Sequence, residues 1–247
     1  LLAQVEGRSA TAVTAWLEGQ PQQWREQVTH VAIDLSASYA KAVREALPGA
    51  VLVADRFHLV RLANDAVTAV RQRVIREHEG RRGRKVDPAW RVRRRLLTAH
   101  ERLRPETFTK MWNSLIETGD PGLEILHAYL VKEDLRALLA LSRTNPERHL
   151  LRARLDTLYC RAAASSSPEV HRLATTIQTW WPAIEAAIRT GHSNARSEGY
   201  NRLAKHEGRN AFGFRDPVNQ RRRIRWACTR QHRRASAATT TVPGQVR

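Results

Sequence analysis

The sequence predicts an α/β protein in which the strands come early and the rest of the chain is helical. Two observations carry that prediction. The apolar runs in "VAIDLSASY" and "AVLVADRFHLV" are short, rich in β-branched residues, and each stops on a carboxylate, Asp34 and Asp55. From Phe57 onward the strand signal disappears, and helical spacing continues to about residue 190.

In chain order, "LLAQVEG" has strand character and residues 9–19 are helical, with Ser9 as a cap and Pro21 as the stop. A strand over 28–34 and a helix over 37–47 follow. Tyr39, Val43, Ala46 and Leu47 repeat at helical spacing until Pro48 and Gly49 end that helix ahead of a strand at 50–55. A strand, helix and strand joined by such short links imply a parallel pair with a crossover. Residues 57–79 form one long helix, and "EGRRGRK" at 79–85 is an exposed basic break. Further helices up to residue 190 are punctuated at Pro105, "TGDPG", "TNP" and "SSSP". A helix from about Ala195 to His206, the loop "EGRNAFGFRDP" and a basic helix from about Val218 complete the chain, ahead of a tail without any core-forming pattern.

Charge narrows the partners. The chain carries 42 Lys and Arg against 24 Asp and Glu, for a net charge of +18. The excess sits in two segments. Residues 81–104 hold ten basic against two acidic residues and residues 191–247 hold thirteen against three, which accounts for all of it. Arg dominates, favouring bidentate contacts to phosphate, so nucleic acid is the leading partner. No apolar run reaches the length of a membrane span and no h-region opens the chain, so no membrane role is expected and the chain reads as soluble and intracellular. Cys160 and Cys228 lack the spacing of a zinc site or a disulfide framework. The only methionine is Met111, so the expectation is that an N-terminal part precedes Leu1.

Three acids and a histidine are the candidates for chemistry. A carboxylate at the C-terminal end of a parallel strand lies in the crevice where α/β sheets bind ligands, and paired carboxylates suit Mg²⁺ that must also take phosphate oxygens. Asp34 and Asp55 fit that description, and both equally fit helix caps. Glu198, in "GHSNARSEGYNRLAKHEGRNAFGFR", stands in the first turn of a helix with Asn194, Asn201, Arg202 and Lys205 nearby. A capping box would explain the Glu without explaining the surrounding cations. His58 follows Asp55 by three residues, as a structural hydrogen-bonding group or a chemical one. Trp180 and Trp181 read as core packing, and "RRRIRW" at 221–226 as a phosphate-contacting face. A helical RNA-binding protein would share the charge but leaves the strand-ending acids without a reason.

The segments "HVAIDLSASYAKAVREALPGAVLVADRFHLVRLANDAVTAVR" and "SNARSEGYNRLAKHEGRNAFGFRDPVNQRRRIR" resemble the DDE transposases of bacterial insertion sequences, specifically the ISL-three group. The resemblance runs from residue 1 to about 230. It implies a partial RNase H-like core interrupted by a large all-helical insertion. Residues 1–60 would be the N-terminal part of the core, 61–190 the insertion, 191–235 the helices returning to the core, and 236–247 a disordered tail. It also implies an Asp, Asp and Glu trio binding two divalent cations, Mg²⁺ or Mn²⁺, for strand cleavage and transfer on double-stranded DNA at transposon ends and target. Glu198 matches the last acid. Asp34 is preferred as the second because it ends the strand before the "SYAKAVREALP" helix, with Asp55 as runner-up and His58 supporting from behind. The strand bearing the first acid lies upstream of Leu1 in this resemblance, as does a DNA-reading region. Without that first acid the piece is expected to be inactive alone, and a catalytically dead remnant that binds DNA non-specifically is the rival. Arg202, Lys205, Arg209, Arg215, Arg221, Arg222 and Arg223 would hold the DNA backbone. A cytoplasmic, nucleoid-associated protein that forms homo-oligomers at full length completes the expectation.

Overall fold

The computed structural model describes residues 3–6, 9–142 and 144–240. The chain divides into two compact units, one of residues 29–36 and 50–192, the other of residues 1–28, 37–49 and 193–247.

In the first unit, strands β1 (His30–Ile33) and β2 (Val51–Ala54) pair in parallel, His30 opposite Val51 and Ile33 opposite Ala54. These two strands make up the only sheet among the described residues. β2 turns Leu52, Val53 and Ala54 into the core, whereas β1 is half-buried throughout. The long helix α4 (Arg56–Glu79, numbered after α1–α3 of the other unit) buries Leu59, Ala63, Val67, Val70 and Val74, a three-and-four spacing that lays one apolar stripe along it. It stops at Gly80, whose φ of 65° is the left-handed cap conformation.

A short helix α5 (Pro88–Arg91) and two 3-10 turns then lead to α6 (Pro105–Ile116), α7 (Asp120–Ala140), α8 (Arg148–Ala163) and α9 (Pro168–Thr190). Every expected punctuation mark falls at a helix boundary: Pro105, Asp120 and Pro168 open α6, α7 and α9, and "TNP" lies between α7 and α8. Pro182 does not interrupt α9, and Trp180 and Trp181 are half-exposed rather than core. α7 is central: it packs on α4, α6, α8 and α9, and is accordingly buried on nearly all sides. Its Gly122 admits no side chain, because a Cβ there would lie 1.8 Å from the Leu115 carbonyl oxygen at the end of α6.

Polar anchors fix these helices. Lys132, fully buried on α7, donates from Nζ to the carbonyls of Leu96 at 2.8 Å and Thr98 at 3.1 Å, tying the 3-10 segment down. Its burial pulls the ammonium pKa below the ordinary lysine value, opposed by the neighbouring Glu133 carboxylate. Arg73 on α4 donates to Glu169 on α9 and Glu124 on α7, at 2.9 and 2.6 Å. Arg81 forks onto Asp87 with two bonds of 2.8 Å and so clamps the loop after α4. Part of the basic run at 81–104 is therefore spent within the fold, Arg93 lying 3.4 Å over the Trp90 ring.

In the second unit, α1 (Ala10–Glu18) is capped by the Ser9 hydroxyl, which accepts from the Ala12 N–H, and packs on α3 (Ala37–Ala46). The short α2 (Gln22–Glu26) brings Trp24 edge-on to Trp16, 5.8 Å between centroids. Residues 3–6 form no strand, contrary to the pattern of "LLAQVEG"; Gln4 instead donates to the Arg221 carbonyl at 2.9 Å. Helices α10 (Ala195–Asn210) and α11 (Pro217–Thr240) pack together. α11 reaches Thr240, into the stretch expected to be disordered, and residues 241–247 lie outside the described part.

Candidate metal centre and basic helices

The register of the two strands builds the site. Because Ile33 faces Ala54, the residues that follow, Asp34 and Asp55, emerge side by side at the C-terminal edge of the pair, and the Asp55 N–H donates to the Ile33 carbonyl at 3.1 Å. Asp55 is also the N-cap of α4, its carboxylate accepting from the His58 N–H. A three-residue step from the cap returns a side chain to the cap itself. His58 Nδ1 thus lies 2.8 Å from Asp55 Oδ2 and 3.3 Å from Asp34 Oδ1. One ligand atom from each of the three residues falls within 4.8 Å of the others.

Burial is graded across this cluster. The Asp55 side chain is 4 % exposed, that of His58 29 % and that of Asp34 52 %, so the cluster opens to solvent on the Asp34 side. Two carboxylates and an imidazole nitrogen suit a divalent cation: Mg²⁺ takes the oxygens and keeps waters, and Mn²⁺ accepts the nitrogen as well. Capping and the cluster share one atom of Asp55: Oδ2 accepts from the His58 N–H at 3.4 Å and lies 2.8 Å from His58 Nδ1. The alternatives open in the sequence thus share one place, with His58 joining the two acids directly. The clue was the D-x-x-H spacing at a helix start.

Asp34 precedes α3 by three positions, and its carbonyl accepts the Ser36 N–H at 2.6 Å. Glu198 stands half-buried in the first turn of α10, in the other unit. With Asn194 as the N-cap it occupies the fourth helical position, one beyond the place a capping box requires, and Asn194 makes no side-chain cap bond. Arg202, Lys205 and Arg209 are exposed on one face of α10, where they line a groove shared with Gln231 and His232 of α11. Arg215 is exposed in the loop between the two helices, and Arg221, Arg222 and Arg223 are exposed on α11. Arg221 lies 3.7 Å from Glu6 and Arg223 3.7 Å from Glu207, both loose pairs. Two features escaped the sequence reading. Phe212 is fully exposed at φ 50°, in the left-handed region that a bulky residue rarely adopts, and Trp226 is 63 % exposed on α11.

Fold and site together define an α/β protein with acids gathered at the C-terminal ends of parallel strands and arginine-rich helices besides. The chain belongs to the ISL3 family of DDE transposases: residues 1–224 match the family model, described as "Transposase". Among curated proteins it is 31 % identical over 211 residues to "Transposase for insertion sequence element IS1557" of Mycobacterium tuberculosis, from two strains. That alignment covers 77 % of this chain and 46 % of the relative, so the chain spans about half the length of the curated relatives it matches. No solved structure matches it. No helix among the described residues is long and apolar enough to cross a membrane.

Proposed function

We propose that this chain carries the metal-binding and DNA-holding part of a transposase that cuts and rejoins DNA strands at insertion-sequence ends. The convergence of Asp34, Asp55 and His58 at the ends of two parallel strands is the observation that carries the reading. On this reading the strand pair belongs to an RNase H-like core, and the family membership supports a divalent metal and DNA as partners. Asp34 and Asp55 hold the cation and Glu198 is the last acid of the trio. When bound, the ion supplies Lewis-acid chemistry, making water or a 3′-hydroxyl a competent nucleophile toward the phosphodiester. His58, whose Nδ1 lies 2.8 Å from Asp55 Oδ2, offers a ring nitrogen as the third ligand of the same cluster. Arg202, Lys205 and Arg209, with Arg215 and Arg221 to Arg223, hold the DNA backbone by charge-assisted hydrogen bonds.

A Mn²⁺-dependent nicking assay on DNA carrying the element's ends tests this. Nicking that disappears in Asp34→Asn and in Glu198→Gln supports cleavage by this site. Retained DNA binding with neither nicking nor saturable Mn²⁺ binding assigns the chain to non-specific binding without catalysis.

A further inference from the structure

Helix α11 turns an indole and a row of arginines outward together. Arg222, Trp226, Thr229 and Arg233 recur at four, three and four residues, on the side opposite the buried Ile224 and Cys228. Arg221, Arg222, Arg225 and Arg233 line one open groove with Trp226, which they share with Ala3 and Gln4. The bond from Gln4 to the Arg221 carbonyl holds residue 4 beside that helix. The Arg230 guanidinium lies 4.4 Å from the centroid of the Trp226 ring. Among the described residues, no carboxylate lines the groove. Glu6, strongly exposed and 3.7 Å from Arg221, stands beside it.

Charge and shape select the occupant. Four guanidiniums around an acid-free groove demand a polyanion, and an indole among them demands a flat π-face. Duplex DNA supplies the phosphates but keeps its base faces stacked inside. A single strand supplies both, since each unstacked base can lie on an aromatic ring while the backbone follows the cations. From Arg222 to Arg233 the stripe is about 16 Å long at the helical rise, enough for more than one nucleotide.

We propose that this face of α11 binds single-stranded DNA, with phosphates on Arg221, Arg222, Arg225 and Arg233 and one unpaired base stacked on Trp226. The proposal rests on the reading of the chain as a DNA-processing protein. It adds that the chain takes a strand whose bases have been unpaired.

The test compares a labelled short oligothymidylate with a duplex of equal length, titrated with the whole chain by fluorescence anisotropy. Trp226→Ala is expected to weaken single-strand binding roughly five- to hundredfold while leaving duplex affinity unchanged, and Trp226→Phe to retain most of it. Equal losses on both forms, or no loss on the single strand, overturn the proposal. Should the Ala variant unfold, tryptophan emission decides. The difference between wild type and Trp226→Phe isolates Trp226, which oligothymidylate is expected to quench and duplex is not. Absence of that quenching also overturns it. Retained, salt-sensitive duplex binding alongside these failures defeats this proposal alone, whereas a chain that binds neither form defeats the transposase reading with it.

Discussion

His58 Nδ1 stands 2.8 Å from Asp55 Oδ2, and the two residues are cap and third position of the same helix. Asp55 therefore does two separable things: it closes the first turn of α4 and it faces Asp34 across the strand ends. Asn keeps a cap oxygen and loses the charge, while Ala loses both. Asp55→Asn is expected to unfold in urea close to wild type, and Asp55→Ala to lose about 0.5–2 kcal/mol more. Equal unfolding free energies would remove the capping role.

Acid should release the clamp after α4. The Arg81 guanidinium, with help from the Arg84 N–H, holds the Asp87 carboxyl at about 2, below its ordinary value. A depressed carboxyl stabilises the fold fully above its unfolded pKa of about 4, and that contribution fades as pH falls toward the folded value. The stability gap between wild type and Asp87→Asn, from urea unfolding, should be constant at neutral pH and close between about pH 4 and 2. A gap independent of pH down to about 2 would contradict this.

Gly122→Ala forces a methyl onto the Leu115 carbonyl, where backbone rather than a flexible side chain must move. A destabilisation of about 1–3 kcal/mol or more is expected from thermal or urea unfolding, with the α6–α7 junction losing hydrogen-exchange protection first. Wild-type stability would mean that the two helices do not approach this closely.

Replacing Arg221, Arg222 and Arg223 together with Ala should flatten the plot of log affinity for duplex DNA against log salt, by roughly one unit for each phosphate these side chains neutralise. Arg221 and Arg223 have loose internal partners, so the expected flattening is less than three full units would give, on the order of two. An unchanged slope would assign this run to a solvated face.

Much of this was legible in the chain itself. The apolar runs ending on Asp34 and Asp55, the helix between them, and the breaks at Pro105, "TGDPG", "TNP" and "SSSP" are local signals, and each recurs in the structure. Local pattern misled where a partner decides. "LLAQVEG" looks like a strand, yet residues 3–6 find no strand to pair with. The direct approach of His58 to both acids depends on the strand register, which no single segment specifies. Likewise, the exposure of Trp226 depends on which face of α11 packs, and that is a tertiary fact.

Asp34, Asp55 and His58 forming one divalent-cation site is the central claim. Titration of the whole chain with Mn²⁺, read by electron paramagnetic resonance of the free ion, tests it directly. The expected result is saturable binding that weakens about tenfold or more in Asp34→Asn and in Asp55→Asn, while both variants keep wild-type circular dichroism. Wild-type Mn²⁺ affinity in both variants, or no saturable binding by the wild-type chain, would contradict it.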